Sequence, residues 1–355
     1  MRKTSWALFG IALVVLGASA AAQQQNAPAA AGVPDSLEWA YTPPLPAGSP
    51  PPPTALPADD NAVMKVPGND KTMPRSRFRG LGEIPDWWPE DHRAAMPNIV
   101  RSGREKNGDA GMAVTATAVV RPCGLCHLAD GSGRPENAPV SSLHPTYFIQ
   151  QMEDFKNGLR NSADPRKANT KAMAGFAKNI TPEELKAAAD YFAAQPYPKR
   201  VKIVESKTAP KVRLQGGMHM PIVGEGAGME PIGDKIVEVP DDNLRAELRD
   251  TRLAWTVYVP PGTINRGQQV AAKYQCNVCH GSKLEGIGPV PPLAGRSPSY
   301  TMRQLYDMKV GARRGPWAEL MKPLVDRMSQ QEMSAVAAFA ASIAPPAGGA
   351  ARGTR

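Results

Sequence analysis

Apolar side chains recur every three to four residues in two similar segments, and this spacing predicts amphipathic helices. The segments are TPEELKAAADYFAAQ, from Thr181, and SQQEMSAVAAFAASI, from Ser329. Each begins with a hydroxyl residue followed by glutamate three residues later, which is the pattern of a capping box at a helix start. Pro182 also suits the first position of a helix. The chain therefore contains two capped helices with matching patterns.

These helices belong to a longer internal repeat. Displacing the chain by 153 residues aligns two stretches without a gap, and after a five-residue difference the displacement becomes 148. A repeat of this length predicts two domains with the same fold. Identical residues align at Cys123 and Cys276, Gly133 and Gly286, Pro139 and Pro292, Pro145 and Pro298, Tyr147 and Tyr300, Gln151 and Gln304, Asp154 and Asp307, Lys156 and Lys309, Gly158 and Gly311, Arg160 and Arg313, and Met173 and Met321.

Between the repeat units the pattern changes to short runs of β-branched and aromatic residues. KRVKIVES, DKIVEVP and AWTVYVPPG are typical of strands, so a β-containing connector is expected over residues 199–261. The predicted fold class is all-α, with this connector joining two helical domains in tandem at residues 76–198 and 262–345. Residues 346–355 are predicted to form a flexible tail.

The N-terminus has the pattern of an export signal. Arg2 and Lys3 precede the apolar run WALFGIALVVLG, and ASA at 18–20 or AAA at 20–22 supplies a cleavage site of small residues. The apolar run is shorter than the roughly 20 residues that span a bilayer, which favours cleavage over retention as an anchor. Residues 1–22 are therefore predicted to be a signal peptide, and the mature chain is predicted to be periplasmic without a transmembrane span.

A segment rich in proline and alanine follows over residues 23–75 and is predicted to be a disordered or extended linker. Trp87 and Trp88 then lie side by side in EIPDWWPEDH. Packing against the first domain is the preferred interpretation of this aromatic pair, and a docking site is the alternative.

Charge is unevenly distributed along the chain. The net charge is +9, and removal of Arg2 and Lys3 with the signal peptide leaves +7. From Thr263 to the C-terminus there are twelve Lys or Arg residues against five Asp or Glu residues. This basic second domain favours a redox partner with an acidic surface, with a solvated basic face as the alternative. Nucleic acid is not a partner expected for an exported protein.

The four cysteines of the chain all lie in two C-x-x-C-H units, CGLCH from Cys123 and CNVCH from Cys276. In a helix, residues at positions i, i+3 and i+4 share a face. Cys123, Cys126 and His127 are therefore expected on one helix face. The same spacing places Cys276, Cys279 and His280 on one face of a second helix. Covalent haem needs this geometry, with two thiols for the vinyl groups and an imidazole for the iron. Two covalently bound haem c groups are predicted.

A redox-active cysteine pair and a zinc site are the two alternative interpretations of the cysteines. A thioredoxin-like redox pair needs a single copy of the motif. A zinc site would join the two cysteine pairs, but 149 residues separate Cys126 from Cys276, whereas zinc ribbons separate them by roughly 15–20. Neither alternative explains why histidine follows both pairs.

A second iron ligand is expected at the only methionine position that the repeat units share. Methionine is usually core filler, and four further methionines of the second unit align with other apolar residues. A thioether ligates haem iron and raises its potential, so Met173 and Met321 are predicted to be the distal ligands. The alternative donors are His92, His144, His219, Met218 and Met220, and each of these histidines is expected at the surface.

Two further pairs of residues are candidates for the haem pocket. Pro139 and Pro292 each lie twelve residues after the motif histidine, and a proline carbonyl would accept a hydrogen bond from its ring N–H. The alternative is a loop proline. Arg160 and Arg313 are candidates for pairing with haem propionates, with a solvent-facing position as the alternative.

The order of these features resembles that of the class I cytochromes c, and most closely the dihaem cytochrome c4 and single-haem cytochrome c553 group. The resemblance covers residues 120–195 and 262–343 and includes YTMRQLYDMKVGAR from Tyr300. It implies an all-α fold around each haem, His/Met-ligated iron and electron transfer. The first domain departs from the pattern because it has no clean equivalent of the helix in GTINRGQQVAAKYQCNVCH.

The function expected from this resemblance is electron transfer between periplasmic or membrane-bound redox proteins, without catalysis. A dehydrogenase or a quinol-oxidising complex would donate electrons, and a terminal oxidase or reductase would accept them. One alternative is a haem subunit fixed in a dehydrogenase complex. Another is a dihaem cytochrome c peroxidase-like enzyme, in which one haem must open a coordination site. The methionine shared by both repeat units argues against the peroxidase.

Overall fold

A computed structural model provides the structure of this chain. The predicted signal peptide, His92, Trp87 and Trp88 lie outside the described residues, as does most of the predicted linker. The described residues are 63–65, 72–74, 96–105, 118–164, 167–215 and 217–346. The first two of these ranges form an antiparallel pair, β1 (Val63–Lys65) with β2 (Thr72–Pro74).

The first domain is helical around the first C-x-x-C-H unit. Phe192 is fully buried in its core, where it stacks on Phe148 and contacts Tyr191 edge-on. A two-stranded ladder adds to the helices, a small departure from the all-α prediction. The elements are α1 (Asn98–Arg101), β3 (Arg104–Glu105), β4 (Ala118–Val120), α2 (Cys123–His127), α3 (Pro145–Lys156), α4 (Ala168–Asn179) and α5 (Pro182–Ala194).

The connector contains more strand than its sequence predicts. A three-stranded sheet has the order β10–β11–β5, with β11 antiparallel to β10 and parallel to β5, and two two-stranded sheets, β6–β9 and β7–β8, accompany it. The three predicted strands correspond to β5, β10 and β11. The elements are β5 (Val201–Glu205), β6 (Thr208–Pro210), β7 (Val212–Gln215), β8 (Met218–Pro221), β9 (Met229–Pro231), β10 (Val237–Pro240), α6 (Asn243–Glu247) and β11 (Trp255–Val259).

The second domain repeats the helices of the first. Helices α3 and α9 both have 12 residues and begin 153 positions apart, and both predicted capping boxes are present, at Thr181 with Glu184 and at Ser329 with Glu332. These elements confirm the repeat. They are α7 (Thr263–Lys273), α8 (Cys276–His280), α9 (Pro298–Lys309), α10 (Pro316–Val325) and α11 (Gln330–Ser342).

The two domains begin differently, as the sequence indicates. In the second domain α7 crosses α11 at Gly267, where any side chain would collide with the carbonyl of Ala335. Only glycine permits this close approach of two backbones. In the first domain the four-residue α1 packs against α2 and α5, with Ile99 and Val100 buried. Within the described ranges, no helix combines the length and apolarity needed to cross a membrane.

A buried carboxylate joins the connector to the second domain. Glu238 of β10 is 1 % exposed, and its Oε2 accepts hydrogen bonds from Ser297 Oγ at 2.8 Å and from Ser299 N at 3.3 Å. Its Oε1 is buried and has no hydrogen-bond partner among the described residues. Burial raises the pKa of Glu238, while the two serines and the charge of Arg303 partly oppose that rise.

Glu238→Gln is expected to stabilise the protein increasingly as pH rises. The pKa of this carboxyl is higher in the folded state than its ordinary value of 4.5. The protonated carboxyl therefore stabilises the fold fully at pH values below 4.5, and this contribution is lost as the pH rises through the folded-state pKa. The glutamine variant should therefore gain up to about 1.4 kcal/mol per pH unit relative to the unsubstituted protein within that window. Urea unfolding from pH 5 to 8 measures the gain. Glu225→Gln, at an exposed connector position, is the control, and a pH-independent difference for Glu238→Gln would contradict the prediction.

Candidate haem sites

The short helices α2 and α8 position the cysteines and histidines. Each spans a single C-x-x-C-H unit, so its two thiols and its imidazole share one helix face. The four cysteines are free of disulfide bonds. Burial raises the pKa of Cys123 to about 12, with the neighbouring Cys126 adding to the rise, and burial also raises the pKa values of Cys126 and Cys276. Reactive redox cysteines instead have lowered pKa values, unlike Cys123, Cys126 and Cys276.

Both motif histidines are oriented by a backbone carbonyl. His127 Nδ1 lies 2.7 Å from Ala138 O, and His280 Nδ1 lies 2.8 Å from Pro291 O. Since a carbonyl only accepts, Nδ1 carries the proton and Nε2 keeps its lone pair. Burial lowers the pKa of both imidazoles, although these carbonyl bonds partly oppose it. Each imidazole is therefore neutral, and the lone pair of its Nε2 is available to a metal.

The predicted acceptor of this hydrogen bond was wrong by one residue. The ring N–H faces the carbonyl that precedes Pro139 or Pro292, because the returning loop presents the peptide before the proline to the imidazole. The carbonyl of Pro139 instead accepts from Arg296 Nη1 of the second domain at 2.9 Å. Both prolines still lie in the wall of the cavity beside the histidines.

A continuous cavity brings the predicted ligands of both domains together. Its wall is largely apolar, and Tyr147 of the first domain meets Trp317 of the second there, with ring centroids 6.0 Å apart. Cys276 and Cys279 also line the cavity, whereas Cys123 and Cys126 are not in its wall, although they share α2 with the wall residue His127. The predicted site residues in its wall are His127, Pro139, Arg160, Met173, His280, Pro292, Arg313 and Met321.

The alternative donors that the structure describes have other roles. Met218 and Met220 are buried in the connector core with Trp255. His144 is exposed and caps α3, where its Nδ1 accepts from Thr146 N at 3.3 Å. Its counterpart Ser297 caps α9 in the same way, so the aligned position serves to start a helix in both domains.

His219 departs from the predicted surface position. It lies half-buried on β8, between two buried methionines. Burial lowers its pKa to about 4, and the nearby positive charges of Arg303 and Lys235 lower it further. It is therefore a neutral residue of the connector rather than a surface histidine.

Arg160 and Arg313 are both buried, which excludes the solvent-facing alternative. Arg160 Nη2 donates to Tyr300 Oη at 2.8 Å and to Gln304 Oε1 at 3.2 Å. Arg313, which aligns with Arg160, makes the equivalent contacts to the first domain. Arg313 Nη2 donates to Tyr147 Oη at 2.7 Å and to Gln151 Oε1 at 2.6 Å. Each arginine is thus bound by the tyrosine and glutamine of the other domain.

Two cationic cavity residues, Arg296 and Lys167, were not identified from the sequence. Arg296 aligns with Leu143, and Lys167 lies where the repeat loses its register, so the repeat provides no signal for either. Burial lowers the pKa of Lys167 to about 7, and the charge of Arg303 contributes. Burial also lowers the pKa values of Arg160 and Arg296.

These cations allow a test of whether haem fits the cavity. Desolvated cations favour an anionic neighbour, and the buried Nε atoms of Arg296 and Arg313 have no hydrogen-bond partner among the described residues. The apolar wall suits a porphyrin ring, and these donors suit its propionates, so the residues present fit the group. Throughout the described ranges, no three His, Cys, Asp or Glu side chains are grouped as a metal-ion site.

Helical domains built around C-x-x-C-H, with a carbonyl-oriented histidine and a methionine in the same cavity wall, define a c-type cytochrome. Comparison with known proteins agrees with this class, since the family described as cytochrome c matches residues 264–344. The cytochrome subunit of sulfide dehydrogenase from Chlorobaculum tepidum is 31% identical over 111 residues, which cover 28% of this chain and 91% of that protein. This chain belongs to the cytochrome c family.

Two longer matches are more distant. The thiosulfate dehydrogenase electron acceptor of Stutzerimonas stutzeri is 26% identical over 231 residues, covering 64% of this chain and 82% of that protein. Cytochrome c4 of Pseudomonas aeruginosa is 23% identical over 235 residues, covering 65% of this chain and 88% of that protein. The resemblance to cytochrome c4 drawn from the sequence is confirmed at the level of distant similarity.

Proposed function

We propose that this chain is an exported dihaem c-type cytochrome that carries electrons between periplasmic or membrane-bound redox proteins. The observation that carries the proposal is the recurrence, in each repeat unit, of a histidine and an aligned methionine in one cavity wall, His127 with Met173 and His280 with Met321. When bound, the haem iron supplies a one-electron Fe(II)/Fe(III) couple. Export is proposed from the N-terminal sequence.

The side chains of this chain hold and tune that couple. The Ala138 and Pro291 carbonyls orient the imidazoles and strengthen them as ligands. The thioethers of Met173 and Met321 would be the second protein ligands of the two irons, which would favour electron transfer over the binding of small molecules. The apolar wall excludes water, and the buried guanidinium groups of Arg160 and Arg313 neutralise carboxylates of the bound group.

The relatives support a dehydrogenase as the electron source. One is named as the electron acceptor of thiosulfate dehydrogenase, and we take the same role as the first candidate for this chain. Another is named as the cytochrome subunit of sulfide dehydrogenase, which favours a subunit fixed in a dehydrogenase complex as the second candidate. In both cases the proposed partner is a redox protein, and its surface is acidic where it meets the basic second domain.

The haem-loaded, dithionite-reduced protein is expected to show no spectral change with carbon monoxide, because a histidine and a methionine held on each iron would leave no position for it. Met173→Leu and Met321→Leu should each admit about one carbon monoxide per chain, since leucine keeps the volume but has no donor atom. Absorbance titration of the haem bands measures the stoichiometry.

Met152→Leu is the matched control for that titration, because Met152 is a buried methionine of the same cavity wall. Carbon monoxide binding to Met152→Leu alone would show that the ligand had been assigned to the wrong methionine. Binding to the unsubstituted protein would reveal an open site and favour the peroxidase-like alternative over a carrier.

A further inference from the structure

The two C-x-x-C-H units differ sharply in how far the rest of the chain covers them. Leu125, inside the first unit, is 7% exposed, whereas the aligned Val278 is 67% exposed. The loop that follows the first unit, residues 128–137, is buried at nearly every position, while most of the aligned residues 281–290 are at least partly exposed. The same local structure is therefore closed in one domain and open in the other.

The connector covers the first unit. Arg200 lies 3.9 Å from the Asp130 carboxylate and also donates to Ser132 Oγ. Arg134 Nη1 donates to the carbonyl of Ala246 in α6 at 3.4 Å. At Gly217, a Cβ atom would lie 3.0 Å from that of Glu136, so the connector backbone approaches the loop closely. Since the connector has no copy after the second domain within the described residues, the aligned surface there is uncovered.

The uncovered surface exposes apolar side chains beside the second haem site. Val278 immediately precedes the cavity residue Cys279 in the sequence. Ile287 is 54% exposed and forms a β-bridge with the cavity residue Val290. Leu320 is 70% exposed and lines the cavity next to Met321. We call Val278, Ile287 and Leu320 the open patch. Each of the three is exposed and lines the cavity or adjoins a residue of its wall, and exposed apolar side chains around a functional site are typical of a protein-binding surface.

Charge at the aligned positions indicates the partner. Asp130 of the first domain faces the connector's Arg200, but the residue aligned with it in the second domain is the exposed Lys283. Arg314, beside the domain boundary, is also exposed. Residues 263–346 contain seven Lys or Arg outside the buried core, against four Asp or Glu. In the first domain the Asp130 carboxylate faces a cation of the connector. In the second domain the aligned residue is the cation Lys283, so a partner that binds there is expected to supply carboxylates.

We infer that an acidic redox protein docks on the open patch of the second domain, and that the connector closes the first domain to such a partner. This inference rests on the proposed function. With haem bound, the partner would lose one electron and be oxidised, and the haem held by Cys276, Cys279 and His280 would gain that electron. The electron would then pass within the chain to the haem held by Cys123, Cys126 and His127. The first haem exchanges electrons with protein partners only through the second.

Charge substitutions on the patch test the docking site. The oxidised holoprotein is mixed at low ionic strength with a reduced acidic flavodoxin as the probe, and haem reduction is followed by stopped-flow absorbance. Val278→Glu and Lys283→Glu should each lower the second-order rate constant at least tenfold, roughly the effect of like charge on steered association. The matched controls lie on the connector, Val223→Glu at a 74% exposed position and Lys211→Glu at another exposed lysine, and should stay within about twofold.

A small neutral hydroquinone separates the docking inference from the function itself. Its rate of haem reduction should be the same in all four variants, since it needs no docking surface. Equal flavodoxin rates in patch and control variants would overturn the docking site while leaving the carrier intact. Failure of both reductants with the unsubstituted holoprotein would overturn the carrier and the docking site together. A dimer in sedimentation that Val278→Glu dissociates would assign the patch to a second copy and overturn the inference.

Blocking one haem at a time tests the order of the two sites. Met321→Leu with carbon monoxide bound holds the second iron reduced, and reduction of the first by flavodoxin should then slow at least tenfold, as roughly expected when the docked route is closed. Met173→Leu with carbon monoxide should retain the fast phase at the second haem. Each variant without carbon monoxide is its own control. Equal rates at the two haems would overturn the closure of the first domain.

Discussion

Replacing Cys276 and Cys279 together with alanine is expected to halve the haem content of the purified protein. These thiols lie on α8 in the cavity wall, and the proposed function makes them the attachment points for the second haem. Without them the apolar wall around Met321 has no bound ring to pack against. The second domain should then lose about 3–5 kcal/mol of stability, the cost of removing a large buried group from a core. Haem absorbance per protein and urea unfolding measure the two effects.

The reciprocal variant provides the control for that experiment. Cys123→Ala with Cys126→Ala should also halve the haem content, but its stability loss should be confined to the first domain, which the connector covers. Two haems per chain in either double variant would contradict covalent attachment at that unit. A variant of one unit that loses both haems would show that the sites cannot be loaded independently.

Arg313→Ala is expected to loosen the contact between the two haem domains. Its guanidinium group is buried and donates to Tyr147, Gln151 and Gln304. Hydrogen bonds from a charged donor contribute about 1.5–3 kcal/mol each, and their acceptors would be left buried without a donor. A loss of about 3 kcal/mol is expected after local relaxation. The urea midpoint of the holoprotein measures it, together with protease sensitivity of the 159–162 segment at the boundary.

The adjacent Arg314→Ala is the matched control, since its side chain is exposed while its backbone N–H bonds Leu159 O at 2.8 Å. It should change the midpoint by less than about 0.5 kcal/mol, as is usual for a surface substitution. Arg160→Ala should reproduce the loss seen for Arg313→Ala. Equal effects of Arg313→Ala and Arg314→Ala would show that the reciprocal network does not hold the domains together.

The sequence predicts the helices well, because the same local helix signals occur at equivalent positions of both repeat units. Capping boxes at Thr181 and Ser329 depend only on residues three apart, so the sequence is sufficient to place them. The acceptor for His127 was missed by one residue because the register of a returning loop depends on its exact turn. The burial of Arg160 was left open because its partners, Tyr300 and Gln304, are 140 and 144 residues away.

A stronger signal was nevertheless present in the repeat. Tyr147, Gln151 and Arg160 are polar residues that reappear at the same displacement, although nothing about an isolated helical domain requires them. The structure shows that these shared polar residues meet across the domain boundary. The closing of the first unit by the connector had no such signal, because residues 199–261 have no aligned copy and their contacts are long-range.

The crossed arrangement of Arg160 and Arg313 is that of an isologous dimer interface within one polypeptide. In a symmetric dimer, residue i of one subunit contacts residue j of the other, and the reverse contact follows automatically. Here the backbone bonds Asn161 N to Ala312 O and Arg314 N to Leu159 O, both 2.8 Å, complete the same exchange. A duplicated ancestor that paired with itself would acquire this interface before its genes were fused. In related chains, replacement of the arginine in one half should therefore be accompanied by replacement of the tyrosine or glutamine that it contacts in the other half.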